Sequence, residues 1–410
     1  MKAFLPLLCL PLFLYSHTLE ELVEISHKNR VVEAASFSVN AKEKAYESTQ
    51  SGYLPTINIG GAYLNTYKET PASAQNTLRA NASLQYILYD GGKKDALYDQ
   101  LLYTVDAGKE NLEAVKNTIS LDVTRLYFAY LSLSADKEAT HQEIKQLEAE
   151  LQRLEMFYKT GSVTRDEVDK IDSRLKNADV VLNEIELGIQ RVLHTLEYYT
   201  TQEITIINPG STLKIETVQS SQTRPDIKVL EFEAQALMSE ALTRKSNNLP
   251  TLFFDNTLSY SEYYFDDKVY EKNSLPNEQN VASLNFAWNV FDFGATTEAY
   301  ESKQFEYLAK KATLDYEKNK ADVNYRLAKK ELDLANLNIK ATKATLDAAS
   351  STYELIKLKY QNGTIDNVAY LQALSEKFSA QRGYERAKND VEIKKAEVLF
   401  YSGHTIKEFL

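Results

Sequence analysis

The chain contains one series of short motifs twice, at the same spacing. Tyr89-Asp90-Gly91-Gly92 corresponds to Phe291-Asp292-Phe293-Gly294, and Tyr158-Lys159-Thr160-Gly161 corresponds to Tyr360-Gln361-Asn362-Gly363. The interval between the glycines that close the two motifs is 69 residues in each copy, and it contains no proline. A segment of that length is hard to keep as a loop but forms a single long helix readily. We therefore predict two copies of one structural unit, each built around a very long helix.

Composition supports long helices and excludes one class of partner. Among 410 residues there are only 8 prolines and 13 glycines, and the net charge is −11. Few helix breakers favour long helices. An acidic chain is a poor ligand for nucleic acid.

The N-terminus has the pattern of a signal peptide over residues 1–17. Lys2 precedes an apolar run from Phe4 to Tyr15 that is too short to cross a bilayer. A buried N-terminal segment is the alternative. The only cysteine, Cys9, lies in this run, so the processed chain would contain no thiol or disulfide. No later segment holds 18 consecutive apolar residues, so the exported protein is periplasmic, released, or inserted in an outer membrane as strands.

Each copy also contains two segments in which apolar and polar residues alternate. These segments predict strands at about 54–67, 77–89, 251–262 and 280–291. Their length suits tilted membrane strands, with a soluble four-stranded sheet on a helix layer as the alternative. Four strands cannot close a barrel, so insertion in a membrane would require several copies of the chain.

The predicted fold class is α+β, with long coiled-coil hairpins and four strands. Apolar residues from Val168 to Tyr199 follow a 3-4 spacing that indicates a coiled-coil seam. We predict a first repeat over 18–200 and a second over 224–402, joined by a linker at 201–223 and followed by a tail at 403–410. The predicted helices of the hairpins are 92–160, 164–200, 294–362 and 365–402.

The motifs at the strand-to-helix turns have a structural explanation. Asp90 or Asp292 can cap the helix, while glycines relieve the turn; these glycines are Gly91, Gly92 and Gly294. A phosphate cradle is the alternative, but no P-loop Lys-Ser/Thr follows.

The sequence contains no pattern that predicts catalysis. The five histidines are scattered without metal-ligand spacing, and no nucleophile or nucleotide motif occurs. We predict no catalytic residue, no metal and no cofactor. The two Tyr-x-x-Gly motifs predict tight turns between helices, for which a plain helical hairpin is the simplest explanation.

Taken together, these motifs resemble the TolC-type outer-membrane efflux proteins. The resemblance rests on the signal peptide, the two copies of strand-strand-helix-turn-helix, the Leu-Pro pairs at Leu54 and Leu249, the glycine motifs, and Arg224-Pro225-Asp226. It covers nearly the whole processed chain. The family implies a homotrimer with one 12-stranded barrel in the outer membrane and a helical tunnel in the periplasm. It also implies a passive exit duct for a tripartite efflux or type I secretion system. The runner-up function is a soluble periplasmic coiled-coil scaffold or adaptor.

The resemblance assigns roles to both helical turns. The turns would dock a periplasmic adaptor, which links the duct to an inner-membrane pump of RND, ABC or MFS type; the residues are Gly161, Ser162, Val163, Gly363, Thr364 and Ile365. Tyr360 matches a tyrosine that holds the family's gate closed, and Asp166 and Glu167 match its partner region on the neighbouring hairpin. The chain departs from the pattern at Ile365, Ala369 and Gln372, where known members carry an arginine and two acids. Asp366, or Asp166 with Asp169, is our hypothesis for the missing acids.

Overall fold

The computed structural model describes residues 16–215, 223–271 and 275–410. Most of the predicted signal peptide, including Cys9, and part of the predicted linker at 201–223 therefore lie outside the described residues.

The same order of strands and helices occurs twice along the chain. The two longest helices, α3 and α7, have 67 residues each. In chain order the elements are β1 Ser16–His17, α1 Leu19–Ser26, α2 Arg30–Gly52, β2 Thr56–Asn65, β3 Asn76–Tyr89, α3 Lys93–Lys159, α4 Arg165–Thr200, β4 Ile206–Ile207, α5 Pro225–Lys245, β5 Thr251–Tyr264, α6 Lys268–Glu271, β6 Glu278–Ala287, α7 Ala295–Gln361 and α8 Asn367–Tyr401. Within the described ranges, no helix combines the length and apolarity that a membrane span requires.

Two elements differ from the sequence-based bounds. The segment from Thr18 to Gln50, whose sequence predicts one helix, is divided into α1 and α2, because the Asn29 side chain accepts hydrogen bonds from the backbone N–H groups of Val31 and Val32 and so begins a new helix. The fourth strand ends at Ala287 instead of continuing to residue 291. Directly after it, the Trp288 indole donates to the carbonyl of Asn248, 3.0 Å away.

The chain divides into two compact units that do not coincide with the predicted repeats. One unit, here called the turn unit, comprises Met1–Ala34, Leu112–Pro225 and Lys318–Leu410. The other, called the sheet unit, comprises Ala35–Asn111 and Asp226–Glu317. Each long helix begins in the sheet unit and ends in the turn unit, so both predicted repeats contribute to both units.

The sheet unit contains one antiparallel sheet with the strand order β2-β3-β5-β6. Its register places apolar side chains opposite one another on a single face: Ile57 pairs with Leu84, Ile59 with Ala82, Ala82 with Leu258, and Phe254 with Leu284. The other face carries polar pairs such as Asn58 with Ser83 and Ser83 with Thr257. The apolar face is largely uncovered, with Ile59 86% exposed. In the described chain β2 and β6 each pair on one side only.

The turn unit has its core between the four hairpin helices. One cluster of buried side chains joins α3, α4, α7 and α8; it includes Leu147, Leu154, Ile171, Tyr353, Tyr360, Tyr370, Leu374 and Phe378. The α4 seam from Val168 to Tyr199 is buried or half-buried at every seam position, as a coiled-coil stripe requires. A second cluster joins α1 to α3, α4 and the short β4 strand.

Ion pairs connect α3 to α8 along their length. Asp136 is bound by Arg386 at 2.6 Å, and Glu143 by Arg382 at 3.1 Å. The Asp136 side chain is only 1% exposed, while that of Arg386 is 62% exposed. The second carboxylate oxygen of Asp136, Oδ1, has no hydrogen-bond partner in the described chain. The pair is therefore asymmetric, with a buried acid and a hydrated base.

Candidate gate and docking site at the helical turns

The two helical turns have the same backbone hydrogen bonds. In the first, the N–H of Gly161 donates to the carbonyl of Tyr158 and the N–H of Ser162 to that of Phe157. In the second, Gly363 and Thr364 make the equivalent bonds to Tyr360 and Lys359. This is the Schellman pattern, in which a left-handed residue ends the helix. Gly161 and Gly363 supply it with φ values of 75° and 69°.

Because Gly363 is left-handed and Gly383 is helical, alanine substitution at the two positions should change stability in opposite directions. Gly363→Ala should destabilise the protein by about 1–2 kcal/mol, because an L-residue with a Cβ disfavours positive φ. Gly383→Ala, inside α8, should stabilise it by about 0.5–1 kcal/mol, because alanine is the better helix former. A Cβ would meet nothing within 4 Å at either position, so backbone conformation alone separates the two variants. Thermal unfolding checks this, and equal shifts of the same sign would contradict it.

Three of the acids after the turns, Asp166, Asp169 and Asp366, are exposed and already have partners, while Glu167 is half-buried. Asp166 accepts hydrogen bonds from the hydroxyl of Thr164 and from Lys170, at 2.9 Å, and these bonds hold its pKa below the usual range. Asp169 accepts from Arg165 at 3.0 Å. Asp366 caps α8 by accepting from the N–H of Ala369. The backbone carbonyl of Glu167 accepts from the amide of Asn367.

Tyr360 is buried, and its hydroxyl donates to Glu150 on α3 at 2.8 Å. Arg153 binds the same carboxylate in a fork, with its shortest contact 2.6 Å, and lies over the Tyr360 ring at 4.7 Å. Within the chain, the partner of the Tyr360 hydroxyl is Glu150, and pairing with the Asp166 and Glu167 region stays a prediction of the resemblance. Nothing in the sequence singles out Glu150. It lies 210 positions from Tyr360, among many acidic residues of α3, and no local signal distinguishes it.

The Tyr360 ring belongs to a stack of tyrosines. Tyr370 of α8 stacks on it with centroids 4.7 Å apart, and Tyr353 contacts Tyr370 at 6.2 Å. The hydroxyl of Tyr353 donates to Gln146 of α3. Burial, and then the hydrogen bond to Glu150, raise the pKa of Tyr360 well above its usual value, so the hydroxyl stays protonated as a donor. The stack therefore ties the last turns of α7 to both α3 and α8.

A groove of about 830 Å³ runs between the first turns of α4 and α8. Its walls combine apolar and charged side chains, including Val368, Leu371, Asp166, Lys170 and Gln372. Val163 and Ile365, one from each turn, are half-buried against the core beside it. The structure thus brings both predicted docking turns and most of the predicted gate residues into one region of the turn unit.

The strand-to-helix turns in the sheet unit are helix caps. Asp90 accepts from the N–H of Lys94, and Asp292 accepts from those of Gly294 and Thr296. Gly91 has φ of 72°, and a Cβ there would lie 2.6 Å from that of Leu249. Helix capping and the close approach of Gly91 to Leu249 account for these motif residues.

Solved structures of outer-membrane channels share this fold. The outer membrane protein VceC of Vibrio cholerae matches with a TM-score of 0.83 at 15% identity, over 95% of this chain and 96% of that chain. A membrane protein from Pseudomonas aeruginosa matches with a TM-score of 0.82 at 16% identity, over 94% and 93%. The outer membrane channel CmeC of Campylobacter jejuni matches at 0.80 and 16%, over 94% and 85%. At these identities the likeness establishes the fold.

Sequence comparison supplies the family. Outer membrane protein TolC of Vibrio cholerae is 24% identical over 205 residues, which are 47% of this chain and 46% of that protein, so the match spans about half of the relative. A family model described as outer membrane efflux protein matches residues 22–200 and 218–404. The chain belongs to the outer membrane efflux protein family. That membership confirms the predicted family, the outer-membrane location with a large periplasmic part, and a transport role rather than an enzymatic one.

Proposed function

We propose that three copies of this chain form the exit duct of a tripartite efflux or type I secretion system. Substrates would pass from an inner-membrane pump of RND, ABC or MFS type through the duct, with no catalysed step in this chain. A periplasmic adaptor would connect the two. Family membership supports an efflux duct, and the geometry of the sheet supports its assembly from several copies.

The uncovered sheet is the observation that carries this proposal. One face is mostly apolar across all four strands, with Asn256 as a polar exception near its centre, and this suits contact with lipid. Its outer strands, β2 and β6, have unpaired edges in the described chain. In hydrocarbon each unpaired backbone group costs several kcal/mol, so a membrane sheet must close on itself. Four strands are too few for closure, and three copies supply twelve.

Native mass spectrometry of the detergent-extracted protein tests the assembly. We expect a species with three times the mass of one chain, present in the outer-membrane fraction. A chain recovered wholly in the soluble fraction as a monomer would instead support the alternative, a periplasmic coiled-coil scaffold or adaptor. A membrane-bound monomer would contradict the shared barrel.

The hydrogen bond between Tyr360 and Glu150 is our candidate for the closed gate, because it holds the end of α7 against α3. Tyr360→Phe should raise the resting conductance of the channel in a planar bilayer. The lost bond has a charged acceptor, so its removal costs about 1.5–3 kcal/mol in each copy. Tyr198→Phe is the matched control, since Tyr198 is 77% exposed on α4. Equal conductance for wild type and Tyr360→Phe would exclude this bond from the gate.

The acids at the turns remain candidates for setting ion selectivity. Asp366→Asn keeps a capping side chain while it removes the charge, and Asp166→Asn removes the charge beside the first turn. We expect at least one of them to reduce the preference for cations in bilayer recordings. Unchanged selectivity in both would show that neither acid contributes.

The groove beside the turns is the proposed adaptor site. Single cysteines placed at Ser162 or Thr364, both exposed in their turns, should crosslink to the adaptor in intact cells. A cysteine at Asn336, exposed on α7, serves as the control. Capture from Asn336 but not from the turns would place the adaptor elsewhere.

A further inference from the structure

A cavity of about 180 Å³ lies beyond the proposed docking groove, between α3, α4 and α8. At about 30 Å³ per molecule it has room for roughly six waters. Drug-sized ligands need about 300–1,000 Å³, so this cavity suits a smaller molecule. Part of its wall is apolar, from side chains such as Leu147 and Leu374.

The polar part of the wall is rich in donors without partners. Thr140 is fully buried on α3, and its hydroxyl has no hydrogen-bond partner in the described chain. Arg174 and Asn177 reach the cavity from α4, and Ser375 from α8. The structure gives none of these three side chains a hydrogen bond or an ion pair within the described residues. An unsatisfied buried hydroxyl costs about 1–3 kcal/mol, so a ligand that accepts from Thr140 recovers that loss.

The charges of the cavity favour an anion. Its one carboxylate, Glu143, is bound by Arg382 at 3.1 Å, and both side chains are largely buried. Arg174, which is also exposed to solvent, is the remaining charged group in the wall, and no carboxylate of the cavity pairs with it. In the neighbouring groove, which Arg174 also lines, Asp166 and Asp169 are engaged by Lys170 and Arg165, and Glu376 accepts a hydrogen bond from Gln372. A guanidinium forms strong paired hydrogen bonds with a carboxylate or a phosphate, and the apolar part of the wall favours an organic carboxylate.

We propose that this cavity binds a small organic carboxylate with a short apolar body. The carboxylate accepts from Arg174 and from the Thr140 hydroxyl, and the apolar part packs against the leucines. Because the ligand contacts three helices, its binding stabilises their packing. This inference concerns one chain and does not depend on the trimer or on the adaptor.

Isothermal titration of the full chain in detergent tests the proposal, with benzoate as the probe. Benzamide, which has nearly the same shape without the charge, is the matched ligand control. We expect benzoate to bind and benzamide to bind at least tenfold more weakly. Arg174→Gln should weaken benzoate binding about tenfold or more, and Arg191→Gln, on the same helix outside the cavity, should leave it unchanged.

Thr140→Val separates binding from folding. It should weaken benzoate binding several-fold, yet leave the melting temperature of the unliganded protein unchanged or higher, because it removes a buried hydroxyl that has no partner. No benzoate binding by the wild type, equal binding of benzamide, or full binding by Arg174→Gln would each overturn the proposal. Those results would leave the cavity as a site for water only.

Discussion

Leu258→Arg should prevent stable insertion of the protein in the outer membrane, whereas Ser259→Arg should not. The two residues are neighbours near the middle of β5, and their side chains lie on opposite faces of the sheet. Leu258 is on the apolar face, opposite Ala82, and Ser259 is on the polar face, opposite Asn81. An arginine that faces lipid near the bilayer midplane costs about 2–4 kcal/mol, while one that faces a water-filled lumen costs little. In a trimer the cost applies to each of the copies.

Membrane fractionation of cells that express each variant measures this effect. We expect the outer membranes to contain much less Leu258→Arg protein than wild type, and about as much Ser259→Arg protein as wild type. The pair is well matched, because both variants introduce an arginine at neighbouring positions of one strand and place it on opposite faces of the sheet. Normal insertion of Leu258→Arg, or equal loss of both variants, would contradict the assignment of the apolar face to lipid.

Arg386→Ala should destabilise the hairpin helices much more than Asp136→Ala does. Removal of Arg386 leaves the Asp136 carboxylate buried without a compensating charge, which costs about 3–5 kcal/mol. Removal of Asp136 leaves an arginine that is already 62% exposed and can be hydrated by water. The two halves of one ion pair are therefore expected to have very different effects.

Thermal unfolding of the two single variants and the double variant checks this prediction. The double variant should be more stable than Arg386→Ala alone, because it no longer contains the buried charge. Arg326→Ala is a suitable control, since Arg326 forms an exposed pair with Asp322, and such pairs contribute about 0–1 kcal/mol. Equal effects of Arg386→Ala and Asp136→Ala, or strictly additive effects in the double variant, would contradict the asymmetry.

Patterns that repeat along the chain indicated much of the architecture. The alternation at Leu78 to Leu88 and its counterparts predicted strands with one apolar face, and β3 and β5 have that face. The 3-4 spacing on α4 predicted its buried stripe. These predictions needed only local periodicity, since side chains alternate at period 2 in strands and return to one face about every 3.6 residues in helices.

Contacts between distant residues could not be predicted in the same way. The resemblance implies a gate partner for Tyr360 near Asp166 and Glu167, but no pattern predicted that Glu150 accepts the hydrogen bond from the Tyr360 hydroxyl within the chain. Nothing in the sequence distinguishes Asp136 and Thr140 from the other polar residues of α3, although both are fully buried. Their surroundings depend on how α3 rotates against α8, and small changes in that rotation exchange one acidic residue for another at the contact.

By itself, the sequence determined which segments are helix or strand, where the two turns lie, and which face of the sheet is apolar. These properties follow from the periodicity of neighbouring residues and from glycine at positions of positive φ. Only the tertiary structure decided which acid accepts the hydrogen bond from Tyr360 and which ion pair is buried. It also decided that each predicted repeat is divided between two compact units. These features depend on packing between residues some 200 positions apart, and no local pattern in the chain encodes them.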